Sequence, residues 1–338
     1  MAVGISGYGV VIPRLRIKRE DYTKAWGTFA AAGVNEKAVL GFDEDILTLS
    51  AKVAKRALDS VPTRAVGITR FAFASTSAPY AEKLLSGTIL TGLGAPGGTF
   101  ASEHTTSTRA GTEALLAGFE HVAAVPGGTA LVAIADAPTA SMWDSLEHAM
   151  GAGAAGFVLA RAGLIAELEG HASVVSEHLG ERFRPKDTDR LRDLNVRKYN
   201  EGAFLANVTG ASSALMEKLG RKPEDYAYVV IQQPDARAPA GAAGKLGFTD
   251  AQLATGLVSA NLGDLGAAST AVGLAAVLDV AKVGDRVLVA SYGSGAGSDA
   301  LSFRVVGERK ATVSVAAELA RKEYVDYVQY LKIKGAIK

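Results

Sequence analysis

The sequence of 338 residues contains no cysteine. Without thiols the chain forms no disulfides, offers no thiolate to a metal ion and cannot carry a thioester on its own side chains. An excess of one charge is also lacking, because 36 Lys and Arg residues stand against 35 Asp and Glu residues. This balance gives no broad basic field for nucleic acid or an anionic membrane surface, so we expect neither as a partner.

Long hydrophobic runs are absent as well. The best candidate, 151–166, is rich in glycine and alanine and is interrupted by Arg161, so we predict no membrane-spanning segment. The run 2–12 is strand-like and no charged and then apolar leader precedes it, which favours a cytoplasmic protein. Hydrophobic residues make up 48% of the chain, enough for a large core, and the length favours two domains or a duplicated one.

Two segments of the chain resemble each other. Segments 111–135 and 268–292 share one plan: a helix of small residues, a glycine turn and an apolar strand. Leu131 in the first segment corresponds to Leu288 in the second, a spacing of 157 residues. A glycine cluster and another apolar strand follow each segment. The repetition predicts two halves of the same design.

We place the two halves at 1–165 and 166–338, with a charged excursion at about 178–201. Continuous apolar strands alternate with helices rich in alanine and glycine, which indicates α/β layering with sheets covered on both faces. The helices predicted at 109–123 and 268–281 have almost no charged face. A helix that is apolar nearly all round is a buried helix, so we expect these two to pack against each other between the sheets.

Six motifs, in order and spacing, follow a known family pattern. They are Gly7-Tyr-Gly-Val-Val-Ile-Pro-Arg14 with Arg16-Ile-Lys18, Glu36-Lys-Ala-Val-Leu-Gly-Phe-Asp-Glu-Asp45, Arg109-Ala-Gly-Thr-Glu-Ala-Leu115, Gly273-Leu-Ala-Ala-Val-Leu-Asp279, Tyr292-Gly-Ser-Gly-Ala-Gly-Ser-Asp-Ala300 and Tyr327-Val-Gln-Tyr-Leu-Lys332. Together they resemble the thiolase superfamily, and within it the 3-hydroxy-3-methylglutaryl-CoA synthases of the archaeal type. The resemblance spans nearly the whole chain and is weakest at 165–220. It implies a duplicated five-layer αβαβα thiolase fold and a homodimer core.

The residues that carry the reaction in that family are replaced here. The resemblance implies a nucleophilic cysteine where Thr108 stands, a glutamate acid/base at Thr76, a histidine at Gln232 and an oxyanion-binding asparagine at Asp264. A threonine hydroxyl hardly ionises near neutral pH without a base beside it, and a carboxylate repels an oxyanion. Losing nucleophile and base together costs about a million-fold in rate. The four replacements therefore predict that the inherited acyl-thioester chemistry is lost.

A different active site can still be drawn from nearby residues. His104 could serve as a base for Ser107 or Thr108, in the dense polar cluster before the first buried helix. The alternative is structural, with Ser107 or Thr106 capping that helix and His104 on a loop.

Two tyrosines offer another route. Tyr80 and Tyr292 could line the pocket with Asp264 and support proton transfer or a retro-aldol step, whereas a packed position at a strand end is the structural alternative for Tyr292. The glycines at 293–297 are followed by a strand rather than a helix, so we expect a tight turn that approaches the pocket and no dinucleotide loop.

The resemblance implies coenzyme A thioesters as ligands, with no cofactor held permanently. The positive charges that could contact a nucleotide are equally compatible with solvated charges: Arg14, Lys18, Arg182, Arg184 and Arg197. The five histidines show no ligand pattern, so no metal is expected.

Two functions fit these observations. In the first, the chain is a non-catalytic subunit. Some bacterial and archaeal complexes combine a cysteine-bearing thiolase subunit, a synthase-like subunit and a small zinc-ribbon/OB-fold protein; in the monoacetylphloroglucinol acetyltransferase complex the synthase-like subunit lacks the cysteine. The resemblance implies such partners here. In the second, the chain is a self-sufficient, cysteine-free acyltransferase or aldolase-type enzyme that uses Tyr80, His104, Thr108, Asp264 or Tyr292.

Overall fold

The computed structural model describes most of the chain. Its described residues are 2–61, 67–95, 97–176, 182–193, 197–295, 297–308 and 311–338, with the backbone alone at 197–200. No helix in these ranges is both long enough and apolar enough to cross a membrane.

The strands form a large mixed sheet and a small one. In the described residues they are β1 (Gly4–Val11), β2 (Leu15–Lys18), β3 (Glu36–Val39), β4 (Arg70–Ala74), β5 (Phe100–His104), β6 (Ala130–Asp136), β7 (Gly153–Ala160), β8 (Ala166–Val175), β9 (Tyr228–Ile231), β10 (Arg286–Ala290), β11 (Gly297–Val305) and β12 (Glu323–Tyr324). The large sheet has the order β5-β4-β6-β7-β1-β8-β11-β10-β9, and the small one has the order β12-β2-β3.

The α-helices cover the sheets. In the described residues they are α1 (Arg19–Trp26), α2 (Ile46–Asp59), α3 (Ser86–Gly92), α4 (Ala110–Ala124), α5 (Arg197–Leu219), α6 (Ala238–Leu246), α7 (Asp250–Ala254), α8 (Ser259–Leu262), α9 (Ser269–Leu278), α10 (Val315–Ala320) and α11 (Tyr327–Ile333). Short 3₁₀ helices lie at Ser145–His148, Pro223–Asp225 and Gly266–Ala268.

The strand order repeats. The series β4-β6-β7-β1 begins with a parallel pair and continues with two antiparallel pairs. The series β9-β10-β11-β8 has the same directions in the same order. The two series join where β1 pairs with β8. The predicted duplication of an α/β design is therefore confirmed by topology, while the division at residue 165 stays a prediction.

Three apolar layers separate the sheets and helices. The largest buried cluster contains α4, α9 and the inner faces of strands from both series. A second cluster lies under α2 and α3 on one outer face, and a third lies under α5, α6 and α7 on the other. The two strand series form the two sheet layers. From one face to the other the layers are helices, the first series, the paired central helices, the second series and helices, which is the predicted five-layer arrangement.

The two predicted buried helices are α4 and α9. All ten residues of α9 are buried, and an added Cβ at Gly111 in α4 would lie 2.4 Å from the carbonyl oxygen of Ala267. Small residues therefore allow the start of α4 to touch the turn that precedes α9. The second helix is shorter than the predicted 268–281, because Gly266–Ala268 forms a 3₁₀ turn first and the helix ends at Leu278.

The predicted charged excursion lies partly within the described residues. Within residues 182–193 it is a loop in which Phe183 and Arg192 form an isolated bridge, and Leu191 pairs with Ala140. The helix α5 begins at Arg197, so the last part of the predicted excursion is helical. The predicted residues 178–181 and 194–196, and the side chain of Arg197, lie outside the described residues.

A separate buried polar cluster, the clasp, consists of Tyr22, Lys37, Glu147 and Tyr330. These residues lie on α1, on β3 of the small sheet, on the 3₁₀ helix Ser145–His148 and on α11. Lys37 Nζ lies 2.7 Å from Glu147 Oε1, and the Tyr22 hydroxyl donates to Oε2 over 2.8 Å. The Tyr330 hydroxyl also donates to Oε1. One buried carboxylate thereby joins α1, β3 and α11.

Candidate functional site

Thr108 lies two residues before α4, at the amino end of the first central helix. Its hydroxyl donates to the carbonyl oxygen of Tyr292 over 2.7 Å. The Thr108 hydroxyl proton is therefore held by a peptide carbonyl, which is a hydrogen-bond acceptor but far too weak a base to remove a proton.

Ser107 makes a cap-type bond at the start of this helix. Its hydroxyl accepts from the N–H of Arg109 over 3.2 Å, whereas Arg109, directly before α4, is helical and makes no side-chain cap bond. The predicted close approach of the glycine loop at 293–297 is confirmed, because a Cβ at Gly293 would lie 1.7 Å from Ser107 Oγ. Gly293 and Gly297 also exchange both backbone hydrogen bonds, which makes the loop a tight turn.

Thr76 is bound to a carboxylate that the sequence analysis missed. Its hydroxyl donates to Asp136 Oδ2 over 2.7 Å, and its N–H donates to the same oxygen over 3.1 Å. Asp136 is fully buried at the end of β6. The available signal was an acidic residue that ends an otherwise apolar strand, because such a carboxylate must find donors where the sheet ends.

Asp136 joins the two halves of the repeat. Its Oδ2 also accepts the N–H of Ala267, just before α9, over 2.8 Å. Its Oδ1 accepts the hydroxyls of Ser75 and Ser77 and the N–H of Ala137. Six donors thus satisfy one carboxylate, and this fixes the Thr76 loop against the start of α9.

The Asp264 carboxylate is paired with the guanidinium of Arg182. Its Oδ2 forms an ion pair with Arg182 Nη1, and its Oδ1 accepts the N–H of Gly266 over 2.8 Å. The carboxylate is 1% exposed, and the Arg182 side chain is 17% exposed. The expected repulsion of an oxyanion is therefore corrected, because the guanidinium neutralises the carboxylate.

Gln232 is bound to the same turn from the other side. Its Nε2 donates to the carbonyl oxygen of Gly266 over 2.8 Å. Gly266 has φ of +54°, and a Cβ there would lie 2.2 Å from Asp136 Oδ2, so only glycine fits. We call the group Thr76, Thr108, Gln232, Asp264, Asp136 and Arg182 the seam site.

Residues 182–184 cross the outside of the seam site. Ser294 donates its hydroxyl to the carbonyl oxygen of Arg182, and Arg184 Nη2 donates to the carbonyl oxygen of Thr76 over 2.9 Å. Together with the ion pair to Asp264, these bonds fix the segment to both halves of the repeat. Arg182 and Arg184 therefore contact the site, which the sequence alone could not distinguish from solvation.

The candidates for alternative chemistry, Tyr80, Tyr292 and His104, lie in different surroundings. Tyr80 is 50% exposed, with Lys83 Nζ 4.8 Å from its ring centroid. Tyr292 packs edge-on against Phe204 with ring centroids 5.3 Å apart, as expected of a packed strand-end residue. The two bonds of the Asp264 carboxylate go to Arg182 and Gly266, and the predicted gathering of Tyr80, Tyr292 and Asp264 stays a prediction.

His104 ends β5, beside the start of α4. Burial lowers its pKa, the Glu113 carboxylate 3.9 Å from Nδ1 opposes that effect, and Arg70 adds to it. Its Nε2 is buried and has no hydrogen-bond partner in the described residues. Thr108 donates to Tyr292, so a His104–Thr108 pair is not formed in this structure.

The other predicted contacts for a nucleotide lie on the small sheet. Arg14 pairs with Glu323 at 3.1 Å, and Lys18 Nζ lies 4.0 Å from the ring centroid of Tyr324. Lys18 and Tyr324 line an open groove of about 590 Å³ with Lys24. In the described ranges no three His, Asp or Glu residues cluster as metal ligands would.

Comparison with known proteins agrees with this architecture. A solved structure of MvaS in complex with 3-hydroxy-3-methylglutaryl coenzyme A has a TM-score of 0.88 and 22% identity, covering 98% of this chain and 91% of that one. A curacin biosynthetic pathway HMG synthase in complex with holo donor-ACP has a TM-score of 0.87 and 20% identity, covering 98% of this chain and 88% of that one. The family model for the C terminal part of 3-oxoacyl-(acyl-carrier-protein) synthase III matches residues 216–305. Fold and site together define a member of the thiolase superfamily with a degenerate centre.

Curated relatives narrow the class. A hydroxymethylglutaryl-CoA synthase of Pyrobaculum arsenaticum is 35% identical over 353 residues, covering 100% of this chain and 99% of its own length. One of Pyrococcus horikoshii is 36% identical over 338 residues, covering 98% and 96%. The chain belongs to the hydroxymethylglutaryl-CoA synthase family, and it contains no cysteine.

Proposed function

We propose that this protein is a synthase-derived, non-catalytic subunit that works with a cysteine-bearing thiolase-type subunit in a cytoplasmic acyl- or acetyl-transferring complex. The observation that carries the proposal is the state of Thr108, whose hydroxyl donates to the Tyr292 carbonyl oxygen over 2.7 Å. A nucleophile must give its proton to a base as it attacks. A peptide carbonyl cannot take that role.

The other three family positions support the same conclusion. Thr76 donates its hydroxyl to Asp136, and Asp136 is already satisfied by five further donors. Gln232 donates to Gly266, and an amide neither accepts nor releases a proton near neutral pH. Asp264 is neutralised by Arg182. Each replacement is thus engaged in holding the fold, with no group left as an acid or base.

The proposed partners are proteins that dock on the surface of the thiolase fold. We infer a homodimer core joined to the thiolase-type subunit and to a small zinc-ribbon/OB-fold protein. The curacin pathway HMG synthase in complex with donor-ACP supports protein docking on this fold. The structure of MvaS with 3-hydroxy-3-methylglutaryl coenzyme A supports retention of a coenzyme A thioester as a ligand rather than as a bound cofactor.

The test is reconstitution. The chain is purified alone and together with the thiolase-type and zinc-ribbon proteins encoded beside it, and transfer of a labelled acetyl group from acetyl-CoA is measured. We expect activity only in the mixture, unchanged by Thr108→Ala in this chain and abolished by replacing the thiolase subunit's cysteine. Thr188→Ala, in the loop outside the site, is the matched control.

The alternative is a self-sufficient, cysteine-free enzyme. The buried Nε2 of His104, unpaired in the described structure, is the observation that favours it, since burial keeps this imidazole neutral and able to accept a proton. Activity of the isolated chain that collapses with Thr108→Ala, Asp264→Ala or His104→Gln would refute the subunit role and establish this alternative.

A further inference from the structure

Gln232 carries a buried acceptor with no partner. The residue is 3% exposed, and its Nε2 donates to the Gly266 carbonyl oxygen. A carbonyl oxygen only accepts, so this bond fixes the orientation of the amide and turns Oε1 away from Gly266. Oε1 has no hydrogen-bond partner in the described part of the chain. Because buried polar groups are nearly always paired, this oxygen marks a place for a donor that the chain does not supply.

A second unpaired group lies on the other side of the same turn. Arg182 binds Asp264 through Nη1, while its Nη2 is buried and, among the described residues, has no hydrogen-bond partner. Asp264 in turn accepts the N–H of Gly266. Gln232 and the Arg182–Asp264 pair are therefore attached to the carbonyl and the amide of one residue, so an unpaired acceptor and an unpaired donor belong to groups that are both fixed by Gly266.

We propose that the seam site binds an uncharged hydroxy-carbonyl compound, whose O–H donates to Gln232 Oε1 and whose carbonyl oxygen accepts from Arg182 Nη2. A simple ketone, or a thioester whose acyl group has no hydroxyl, offers acceptors only and would leave the Gln232 oxygen unpaired. The hydroxyl is the feature that the site selects. The proposal rests on the proposed function in one respect, namely that the ligand is held and not converted.

The charge of the site favours a neutral ligand. The guanidinium of Arg182 is already balanced by the Asp264 carboxylate, which is 1% exposed. A ligand carboxylate would add a second negative charge beside a buried first one, and like charges in a buried site oppose each other strongly. Nη2 can still donate to a neutral oxygen, because that bond leaves the ion pair intact.

Arg182 is the more exposed member of its ion pair. Its side chain is 17% exposed, and that of Asp264 is 2% exposed. On the proposal, the guanidinium is one of the two groups that the ligand contacts. Hydrogen bonding at both ends fixes the orientation of a small ligand in such a site.

The experiment compares three small probes by ligand-observed NMR titration of the full chain. They are 4-hydroxy-2-butanone, 2-butanone, which lacks only the hydroxyl, and 3-hydroxybutanoate, which carries a carboxylate. We expect 4-hydroxy-2-butanone to bind about tenfold more tightly than 2-butanone, because only its hydroxyl pairs the buried oxygen. The carboxylate should bind more weakly than the neutral hydroxyketone.

The adjacent glutamines provide matched variants. Gln232→Leu should remove the preference for the hydroxyl. Gln233→Leu should leave the preference intact, because the Gln233 amide is bound on both sides to backbone groups. A melting curve for each variant shows that it is folded before it is titrated.

Equal binding of the hydroxyketone and the ketone would overturn the proposal, as would tighter binding of the carboxylate. Absence of binding by all three probes would overturn it too, since the two unpaired groups would then accept no ligand of the proposed class. The same spectra report cleavage of 4-hydroxy-2-butanone to acetone and formaldehyde. Cleavage with hydroxyl-dependent binding would refute the non-catalytic role and leave the ligand class standing, whereas partner-dependent acetyl transfer without probe binding would do the reverse.

Discussion

The clasp and the seam site are both buried polar clusters, and they differ in how completely their groups are paired. In the clasp, one carboxylate, Glu147, accepts from Lys37, Tyr22 and Tyr330. In the seam site the polar groups are also bonded, but the oxygen of Gln232 and one nitrogen of Arg182 have no partner among the residues that the structure describes.

This difference in pairing distinguishes the clasp, which stabilises the fold, from the seam site, for which we propose a ligand. A fully paired cluster gains nothing from a ligand, since every donor already has its acceptor. A cluster with an open acceptor and an open donor gains from any molecule that supplies both. The two clusters are connected through the backbone, because Ala149 and Met150 come two and three residues after Glu147 and pair with Asp264. The clasp therefore adjoins the segment that carries Asp264.

The largest effect is expected from breaking the clasp. Lys37→Met leaves the buried Glu147 carboxylate without its cation, which should lower the free energy of unfolding by about 3–5 kcal/mol. Urea unfolding at neutral pH measures the change. Lys55→Met is the control, because Lys55 pairs with Asp59 on the surface, and such pairs contribute under about 1 kcal/mol. Similar losses in both variants would show that the clasp is no stronger than a surface pair.

Breaking the ion pair of the seam site should be asymmetric. Arg182→Met leaves a carboxylate that is 1% exposed without its cation, at an expected cost of about 3 kcal/mol. Asp264→Asn keeps an oxygen for the Gly266 N–H and leaves a guanidinium that can turn to water, so we expect about 1 kcal/mol. Thermal unfolding of both variants gives the comparison. A larger loss for Asp264→Asn would contradict the assigned contacts.

The clasp should also make stability depend on pH. Burial lowers the pKa of Lys37 from 10.5 to about 8, with Glu147 opposing the shift and Lys334 adding to it. Between these values the unfolded chain binds a proton that the folded chain has released, so stability rises with pH. Burial raises the pKa of Tyr22 and Tyr330 above 10, which reverses the trend at higher pH.

The expected rise is about 2 kcal/mol between pH 8 and pH 10. Urea unfolding at several pH values measures it, and Lys37→Met should flatten the profile. Lys334, whose pKa burial also lowers, accounts for any slope that remains in that variant. An unchanged slope in Lys37→Met would assign the rise to other groups.

The smallest effect compares Gln232 with Gln233. The amide of Gln233 accepts from the N–H groups of Val258 and Ser259 and donates to the Gly256 carbonyl oxygen. Gln233→Leu leaves these groups unpaired, whereas Gln232→Leu leaves one carbonyl unpaired and removes an oxygen that lacked a partner. We expect Gln233→Leu to be more destabilising by at least about 1 kcal/mol in urea unfolding. The reverse order would mean that Gln232 is paired in solution.

Much of the architecture was predictable from the sequence. The repeated strands around Leu131 and Leu288 and the charge-poor helices gave the duplication and the buried pair, because periodicity and composition report which faces are buried. The alignment of motifs placed Thr76, Gln232 and Asp264 together. They do meet, through Asp136 and Gly266.

The partners of these residues were not predictable. Arg182 lies 82 residues from Asp264, and Lys37 lies 110 residues from Glu147. Neither pair has a local signal, since a charge in a polar segment has the same sequence context whether it is solvated or paired. The open acceptor of Gln232 is likewise a property of packing, and only the assembled site shows it.

The Arg182–Asp264 pair makes two positions that lie 82 residues apart depend on each other. Removing Arg182 alone would leave a buried carboxylate without its cation, whereas changing Asp264 to asparagine would leave a guanidinium that can turn to water. Substitutions at position 182 should therefore be tolerated best when position 264 has first lost its charge. The order of the two changes matters, and only one of the two orders avoids a costly intermediate.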